Sequence, residues 1–563
     1  MLPRRRQLQL LKALAQEAGW GHLNRLAGLS AVSSVLDIAG LGLAITVLLG
    51  NGSNPNPIRG LNISLPLSAS LSLLVGLILL RGLIQGRVAV SRERLRSGFT
   101  DRLRQQLLQQ VFSASSNQLD QLGRGDLLAL LMADINRTAL GLDQAVRMLQ
   151  ALLAMVIYLG SVLLVGRAAA WPLLLALMAS AIAALLQRSG SWSLGRIQSR
   201  LNAALQRTVG DGLHGLKAVR AAAAEHWLLN RFAQETAKGR WLLRERVRRR
   251  AGYNAWRDTL VVAIASLWLL LQGDALTAEV LTTTLVLAYR AGSSLSGVVQ
   301  ARRLCLGNLP GYEALCLRRE QLGPGPEQVT GTGTVLDGPA LTTLDGNRWT
   351  QLDWCSTTRR DGRTHSLRLL SNQLIAVTGP SGCGKTTLLD QISGLHEEEH
   401  SAWTITCGSE RWQLSGPAGA SQLHQLMACA PQHAALFEAS LRDNLLLGRE
   451  LPDATIASWL HRLGLQHLLD RPEGLEAPMA LAQSPFSGGE IHRLGLLRAW
   501  LRERPVDVLD EPTAFLDAVA AAQVREEIQE RSRQRLVLVS SHDSELLNLA
   551  DVVIDLGTVE VRT

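Results

Sequence analysis

Eight consecutive residues carry the clearest chemical signal in the sequence: Gly379, Pro380, Ser381, Gly382, Cys383, Gly384, Lys385 and Thr386. They fit the phosphate-binding pattern G-x-x-x-x-G-K-[ST] without a mismatch, and Thr387 follows them. Glycines let the backbone wrap around a triphosphate, and a helix N-terminus directs N–H groups and the positive end of its dipole at it. In such a loop Lys385 would reach the β- and γ-phosphates, and the Thr386 hydroxyl would bind Mg2+. The stretch therefore predicts a site for a nucleoside triphosphate with Mg2+.

Two carboxylates end the stretch 506–511, whose pattern predicts a buried strand. At the end of such a strand Asp510 would hold Mg2+, directly or through water, and Glu511 would polarise an attacking water. Gln432 lies between the loop and this pair. After the pair, His542 directly follows a predicted apolar strand, 536–541. The order of these elements predicts a phosphate-hydrolysing site built on alternating strands and helices.

The elements that must carry this site occupy only the second half of the chain. Of 563 residues, 47% are apolar and 19% charged, and the apolar excess lies in long runs before about residue 300. Six segments have roughly the 20 residues that a membrane-spanning helix requires. They are 27–49, 65–86, 148–166, 170–187, 257–273 and 278–298. Asp37 and Arg290 fall inside two of them, either in a translocation pathway or near a helix end where they snorkel.

The positive charges indicate how these segments are oriented. Short loops between segments carry few of them, whereas the two long connections are Arg-rich, as in 92–96 and 244–250. The positive-inside rule then puts the N-terminus, both long connections and the C-terminal domain in the cytosol. The net charge of +9 fits membrane-protein loops better than nucleic-acid binding, so no nucleic-acid partner is expected. Six scattered cysteines without metal-ligand spacing indicate free thiols in a reducing compartment.

Composition also predicts the domain boundaries. We expect a cytosolic N-terminal segment at 1–26 and a transmembrane domain with two long cytoplasmic connections at 27–318. A Pro/Gly-rich linker at 319–334 and an α/β nucleotide-binding domain at 335–563 should follow. The predicted fold class is a multidomain membrane protein: an all-α six-helix transmembrane domain followed by an α/β P-loop NTPase domain.

The order of motifs resembles the ATP-binding cassette, and the whole chain resembles an ABC exporter half-transporter of six helices and one cassette. In that family Gln432 would be the Q-loop glutamine, 486–490 the signature motif, 514–517 the D-loop and His542 the switch histidine. Trp354 lies where the family usually has an aromatic residue that stacks on adenine.

The resemblance also assigns roles to these residues. It implies catalytic functions for Glu511, His542 and Gln432, with Gln432 joining Thr386 and Asp510 at Mg2+. Phosphate contacts would come from Ser487, Gly488 and Gly489 of a second cassette. Two features depart from the family pattern. Phe486 and Glu490 replace Leu and Gln at the ends of the signature, and Ala480-Leu481-Ala482 stands where an acidic residue is usual. The Glu490 charge would slow hydrolysis or alter the choice of partner.

The resemblance implies ATP-driven export across the cytoplasmic membrane by a dimer, either of two copies or of this chain with a related half-transporter. An apolar or amphipathic cargo is the leading expectation. Alternatives are a soluble ABC ATPase acting on DNA or ribosomes, which the six apolar segments oppose, and a cassette-gated channel or regulator. Within transport, a heterodimeric exporter of peptides, lipids or small thiols stays open. The stretch before the first segment has no Cys, so we expect no leader-peptide cleavage.

Overall fold

The computed structural model describes most of the chain in two compact units, one comprising 1–112 and 122–323 and the other 113–121 and 324–563. The described residues are 4–49, 66–114, 118–119, 122–166, 170–186, 191–272, 278–323, 350–357, 364–396, 401–407, 410–479, 486–557 and 560–562.

The described part of the first unit is helical throughout. Its helices are α1 (Arg4–Ala18), α2 (Trp20–Leu49), α3 (Leu67–Ser113), α4 (Arg124–Ala129), α5 (Ile135–Gly166), α6 (Trp171–Leu186), α7 (Ser191–His214), α8 (Leu216–Ala221), α9 (Glu225–Gln272) and α10 (Ala278–Leu322). A π-helical turn at Leu130–Asp134 joins α4 to α5. The described residues of the six predicted apolar segments lie mainly on α2, α3, α5, α6, α9 and α10. Because α10 continues to Leu322, the predicted linker begins as helix, and its remainder from 324 lies outside the described residues.

Three described helical stretches are long and apolar enough to cross a membrane: Trp20–Ile45, Leu67–Ser113 and Gly125–Gly166. Trp171–Ser180 is a shorter apolar helix. Only 6% of the apolar window of α3 is buried, so nearly all of its apolar side chains face outward, as lipid contact requires. The number of six spans stays a prediction.

Close helix crossings hold the first unit together. Arg137 on α5 is buried and donates hydrogen bonds to the carbonyl oxygens of Gly195 on α7 (3.1 Å) and Gly307 on α10 (3.0 Å). A Cβ at Gly195 would lie 2.3 Å from the Gly307 oxygen. Glycine is therefore required at that position, because any side chain would push α7 and α10 apart.

The second unit contains two sheets. Its strands are β1 (Gln351–Thr357), β2 (Thr364–Leu370), β3 (Leu374–Thr378), β4 (Ala402–Cys407), β5 (Glu410–Ser415), β6 (Met427–Ala430), β7 (Val506–Asp510), β8 (Leu536–Ser540), β9 (Val552–Asp555) and β10 (Glu560–Arg562). An antiparallel sheet has the order β2-β1-β4-β5, and a six-stranded sheet has the order β10-β9-β3-β8-β7-β6. In the larger sheet β9, β3, β8, β7 and β6 are mutually parallel, and β10 is antiparallel to β9.

Helices complete this α/β unit. They are α11 (Lys385–Ile392), α12 (Gly416–Leu426), α13 (Leu441–Leu446), α14 (Asp453–Arg462), α15 (Gly488–Trp500), α16 (Ala518–Ser532) and α17 (Ser544–Leu549). Alternate residues of the central strands enter two apolar clusters, as shown by Ala376 in one and Ile375 and Val377 in the other. Strands buried on both faces explain the continuous apolar runs in the sequence. The predicted fold class, a helical membrane domain followed by an α/β nucleotide-binding domain, is confirmed.

A buried ion pair lies on one face of the larger sheet. Asp507 on β7 is fully buried, and Arg531 on α16 meets it with two contacts, Nε–Oδ2 at 2.7 Å and Nη2–Oδ1 at 3.2 Å. The Arg531 guanidinium also lies over the rings of Trp459 and Trp500, 5.7 and 5.6 Å from their centroids. Removing the arginine would leave the Asp507 carboxylate buried without its partner.

We therefore expect Arg531→Met to destabilise this unit by about 3–5 kcal/mol, the usual effect of removing one member of a buried pair. Thermal unfolding of the purified chain would measure it, with the exposed Arg533→Met as the matched control. The double variant Asp507→Leu/Arg531→Met should recover much of the loss because no unpaired charge remains. An unchanged transition in Arg531→Met would contradict this account.

Candidate functional site

The residues predicted to bind and hydrolyse the nucleotide lie at one edge of the larger sheet. Neighbouring parallel strands β3, β8, β7 and β6 all present their carboxyl ends there. The glycine-rich loop follows β3, His542 follows β8, Glu511 follows β7 and Gln432 follows β6. In open α/β sheets ligands bind outside the carboxyl ends of the strands. Strand order therefore brings together motifs that lie far apart in the sequence.

The loop after β3 has the backbone of a phosphate cradle. Gly382 and Gly384 have φ of 81° and 101°, in the left-handed region that favours glycine. Gly379 has φ of 141°, and a Cβ there would lie 2.9 Å from the Cys383 sulfur. Gly384 is the N-cap of α11, which begins at Lys385. Free N–H groups at this helix start are thus available to an anion.

Lys385 is held at the mouth of this loop by neutral acceptors. Its ammonium donates to the carbonyl oxygens of Gly379 (2.9 Å) and Pro380 (3.4 Å), and it lies 2.9 Å from His542 Nε2. An ammonium group has only donors, so His542 Nε2 is the acceptor and the ring proton belongs on Nδ1. A phosphate that reached this position would replace the neutral acceptors of Lys385 with negatively charged oxygens.

A hydrogen-bonded chain connects α11, β7 and β8. The Thr386 hydroxyl donates to Asp510 Oδ2 (2.8 Å), and the buried Ser540 hydroxyl donates to Asp510 Oδ1. A hydroxyl beside a carboxylate is the oxygen donor set that Mg2+ prefers, so Thr386 and Asp510 fit the ion. Within the described residues no group of three or more His, Cys, Asp or Glu could hold a metal. Mg2+ would then complete its coordination with phosphate oxygens and water.

Glu511 directly follows Asp510 and has a strained backbone conformation. Its φ is 50°, which is rare for a residue with a side chain. Its N–H donates to both the carbonyl oxygen (3.1 Å) and the hydroxyl oxygen (3.0 Å) of Ser540, and these contacts hold the conformation. Its Oε1 lies 3.6 Å from His542 Nε2. The carboxylate is thus fixed beside the loop, where a base for water would have to act.

Two residues of this region escaped the sequence analysis. Ser540 contacts both Asp510 and Glu511, yet it is only the last residue of an apolar strand in the sequence. Asp390 lies on α11. Its pKa is raised mainly by burial and, to a smaller extent, by the negative charge of Asp510. For Ser540 the sequence contains one signal, its position two residues before His542.

The structure corrects the expectation for Trp354. This side chain is 2% exposed and packs in the apolar cluster that includes Leu352 and Trp403. It lies on β1, paired with Leu367 and Trp403 on the neighbouring strands. Alternation along β1 turns Trp354 into the core, so its ring presents no free face for stacking on adenine.

The signature motif forms the start of α15. Ser487 is the N-cap, and its hydroxyl accepts a hydrogen bond from the Glu490 N–H (3.2 Å). Glu490 returns the contact, accepting from the Ser487 N–H (2.7 Å) and hydroxyl (2.9 Å), and it lies 2.7 Å from His467 Nε2. Burial opposes the Glu490 charge, but the contacts from Ser487 and His467 outweigh burial and hold its pKa below the usual value. The unusual Glu490 therefore completes a capping box.

The two signature glycines differ in their surroundings. A Cβ at Gly489 would lie 2.9 Å from the carbonyl oxygen of Phe515, whereas nothing lies within 4 Å of one at Gly488. Gly489 thus permits close packing against the predicted D-loop, where Phe515 has a φ of 65°. Gly488 and Ser487 are exposed, which leaves this helix start open to a ligand.

An open pocket of about 460 Å³ adjoins the glycine-rich loop. The described residues that line it are Thr378, Gly379, Pro380, His542, Asp555 and Gly557. Neither Ser487 nor Gly488 is among them. The signature helix therefore does not line this pocket.

Comparison with known proteins agrees with this geometry. Residues 363–514 match the family model described as ABC transporter. The solved structure of a bacterial Atm1-family ABC exporter with ATP bound superposes with a TM-score of 0.72. The superposition covers 98% of this chain and 95% of that one at 16% identity, so the two share a fold over nearly their whole length.

Curated relatives are similar mainly in the second unit. The chain is 37% identical over 180 residues to the glutathione/L-cysteine transport system ATP-binding/permease protein CydC of Escherichia coli, covering 31% of this chain and 30% of that protein. The chain thus spans about a third of that relative's length. It is 24% identical over 448 residues to CydD of Bacillus subtilis, which carries the same system name, covering 76% and 74%. These relatives and the apolar helices identify an integral, multi-pass membrane protein with its second unit in the cytosol.

Loss of the Lys385 charge tests the loop. We expect Lys385→Ala to weaken ATP binding by about 2–3 kcal/mol, since a charge-assisted contact in a buried setting is lost. This corresponds to roughly a 30- to 150-fold rise in Kd, measurable with a fluorescent ATP analogue. The exposed Lys217→Ala is the matched control and should bind as the unaltered chain does. Equal affinity in the two variants would exclude the loop as the site.

Proposed function

Because the chain joins a multi-pass membrane domain to one ABC transporter ATP-binding domain in the fold of an ABC exporter, we propose that it is half of an ATP-driven exporter. The observation that carries this proposal is the convergence at one sheet edge of Lys385, Thr386, Asp510, Glu511 and His542. Those five side chains supply the binding and hydrolytic functions that ATP turnover needs.

Each residue would act through the contacts described above. Lys385 would leave its loop carbonyls for the β- and γ-phosphates. Glu511 would accept a proton from the attacking water, and His542 would orient the γ-phosphate from beside it. Preorganisation by Ser540 matters because a general base works only within hydrogen-bond reach of its proton.

Mg2+ is the cofactor that this donor set fits. Thr386 and Asp510 would hold it, with Gln432 arriving from the end of β6 as the family resemblance implies. When bound, the ion would neutralise charge on the phosphate oxygens. Asp510 is already aligned by two hydroxyl donors, so little side-chain reorganisation would accompany binding.

Completion of the site would require a second chain. The start of α15 offers an exposed Ser487, a free approach at Gly488 and a helix dipole suited to phosphate. It does not line the pocket that adjoins the glycine-rich loop. Two cassettes placed head to tail would each lend Ser487, Gly488 and Gly489 to the ATP of the other. The partner would be a second copy or a related half-transporter.

Cassette closure would drive export because ATP binds the closed dimer better than the open one. That difference in affinity is the only free energy available to shift the membrane helices toward an outward-facing state. Hydrolysis at Glu511 would then restore the open state.

The names of relatives leave the cargo open. Glutathione and L-cysteine appear in the name of the system to which CydC and CydD belong. A β-(1→2)glucan export protein, NdvA of Rhizobium meliloti, is 30% identical over 194 residues. Small thiols are a candidate cargo on these names, alongside the apolar or amphipathic molecule expected from the sequence.

Replacing the proposed base tests ATP turnover directly. Glu511→Gln should keep ATP affinity but slow phosphate release by about 10²- to 10⁴-fold, since a general base contributes that much. Steady-state ATPase assays of the purified chain in lipid nanodiscs would measure it. The exposed Glu450→Gln serves as the control for loss of a carboxylate. Turnover of Glu511→Gln within a factor of about two of the control would remove Glu511 from this role.

A further inference from the structure

Four helices of the membrane unit meet at a cluster of polar side chains. Asp37 on α2 is 4% exposed. The Tyr158 hydroxyl on α5 donates to its Oδ2 at 2.6 Å, and Arg81 Nη1 on α3 lies 2.6 Å from its Oδ1. Arg290 Nε on α10 is 3.6 Å from Oδ2, which already has the tyrosine. Arg290 is thus the most weakly held member of the cluster.

The cluster carries one positive charge in excess. Among the described residues, Asp37 is the one carboxylate in an ion pair with either arginine, so two guanidinium groups share a single negative charge. The buried Nε of Arg81 has no hydrogen-bond partner. An acceptor group is therefore missing from the site even though Asp37 is fully engaged.

The cluster with the unmatched positive charge lies deep in the membrane unit. Asp37 lies near the middle of α2 (Trp20–Leu49), roughly 15–25 Å from either end at 1.5 Å per residue. Ionisable groups at such depth are costly and normally line a substrate or ion pathway. A lipid headgroup would lie at the membrane surface, about 15 Å from the bilayer centre, so the missing anion is better supplied by cargo.

The environment suits a molecule with both polar and apolar parts. The side chain of Arg290 is 37% exposed, and the neighbouring Tyr289 is exposed as well. An apolar cluster adjoins the arginine, and it contains Tyr158 together with Leu287, Ala288 and Ala291 on α10. An anionic head could meet the arginine while the rest of the molecule contacts this surface.

We propose that Arg290, supported by Arg81, binds an acidic group, such as a carboxylate, of the exported substrate inside the membrane domain. Asp37 is the internal counter-ion that occupies the arginines in the absence of cargo, and Tyr158 fixes its orientation. This inference rests on the proposed transport function and refines it by assigning the cargo a negative charge.

The experiment compares acids with partners that are neutral at the carboxyl groups, because an ester or amide replaces each carboxylate. Binding of radiolabelled glutathione and decanoate to the full chain in nanodiscs of neutral lipid is measured in competition with glutathione diethyl ester and decanamide. The structure predicts that at least one acid binds and that its neutral partner competes at least tenfold more weakly. Neutral lipid ensures that headgroups do not supply the anion.

Variants connect that binding to the cluster. Arg290→Gln should weaken binding of the acid at least tenfold, and Arg290→Lys should restore part of it by returning the charge. Arg87→Gln removes an exposed arginine from α3 and should bind as the unaltered chain does. Folding of each variant is checked by gel filtration and by ATP binding.

The outcomes separate this inference from the proposed function. Equal binding of acid and neutral partner, unaltered binding in Arg290→Gln, or no binding of either acid would overturn the anion site. Chains that bind acid through Arg290 but never hydrolyse ATP would contradict the export mechanism and leave the anion site intact.

Discussion

The nucleotide site depends on one buried carboxylate. Asp510 ends β7 and is bonded at the same time to Thr386, from the helix after β3, and to Ser540, from the end of β8. Three consecutive strands of the sheet are thereby fixed in register at their carboxyl ends, and Glu511 inherits its position through the Ser540 contacts. Hydrolysis needs placement of this quality, because a displacement of about 1 Å can cost a hundredfold in rate.

Local patterns made much of this site predictable. The loop 379–386, the strand ending at Asp510 and the strand before His542 are each contained in one short stretch, so sequence alone identified them. Contacts across the sheet were not predictable in the same way. Ser540 matters only because β8 lies between β3 and β7, an order that no single stretch encodes. The prediction that Trp354 stacks on adenine was wrong for a related reason. Its position on β1 suits an aromatic residue, but the alternation of side chains along the strand turns it into the core.

Buried charge is handled differently in the two units. In the cassette, Asp507 receives a bidentate arginine, and the pair is closed to solvent between two tryptophans. In the membrane unit, Asp37 faces two arginines and both of them stay partly exposed. From the sequence, Asp37 and Arg290 were identifiable only as isolated charges, because their partners come from helices far apart in the chain. A matched pair leaves no buried charge without a partner, whereas a mismatched cluster leaves an arginine able to bind an anion.

The central claim is that one cassette does not complete its own ATP site. Ser487 and Gly488 lie outside the pocket at the glycine-rich loop, and the family resemblance implies that a second cassette supplies them. The most direct measurement is ATP turnover in nanodiscs sorted by chain number. Discs with two chains, whether copies or this chain with a related half-transporter, should hydrolyse ATP, and discs with one chain should not. Equal turnover per chain in single-chain discs would contradict the account.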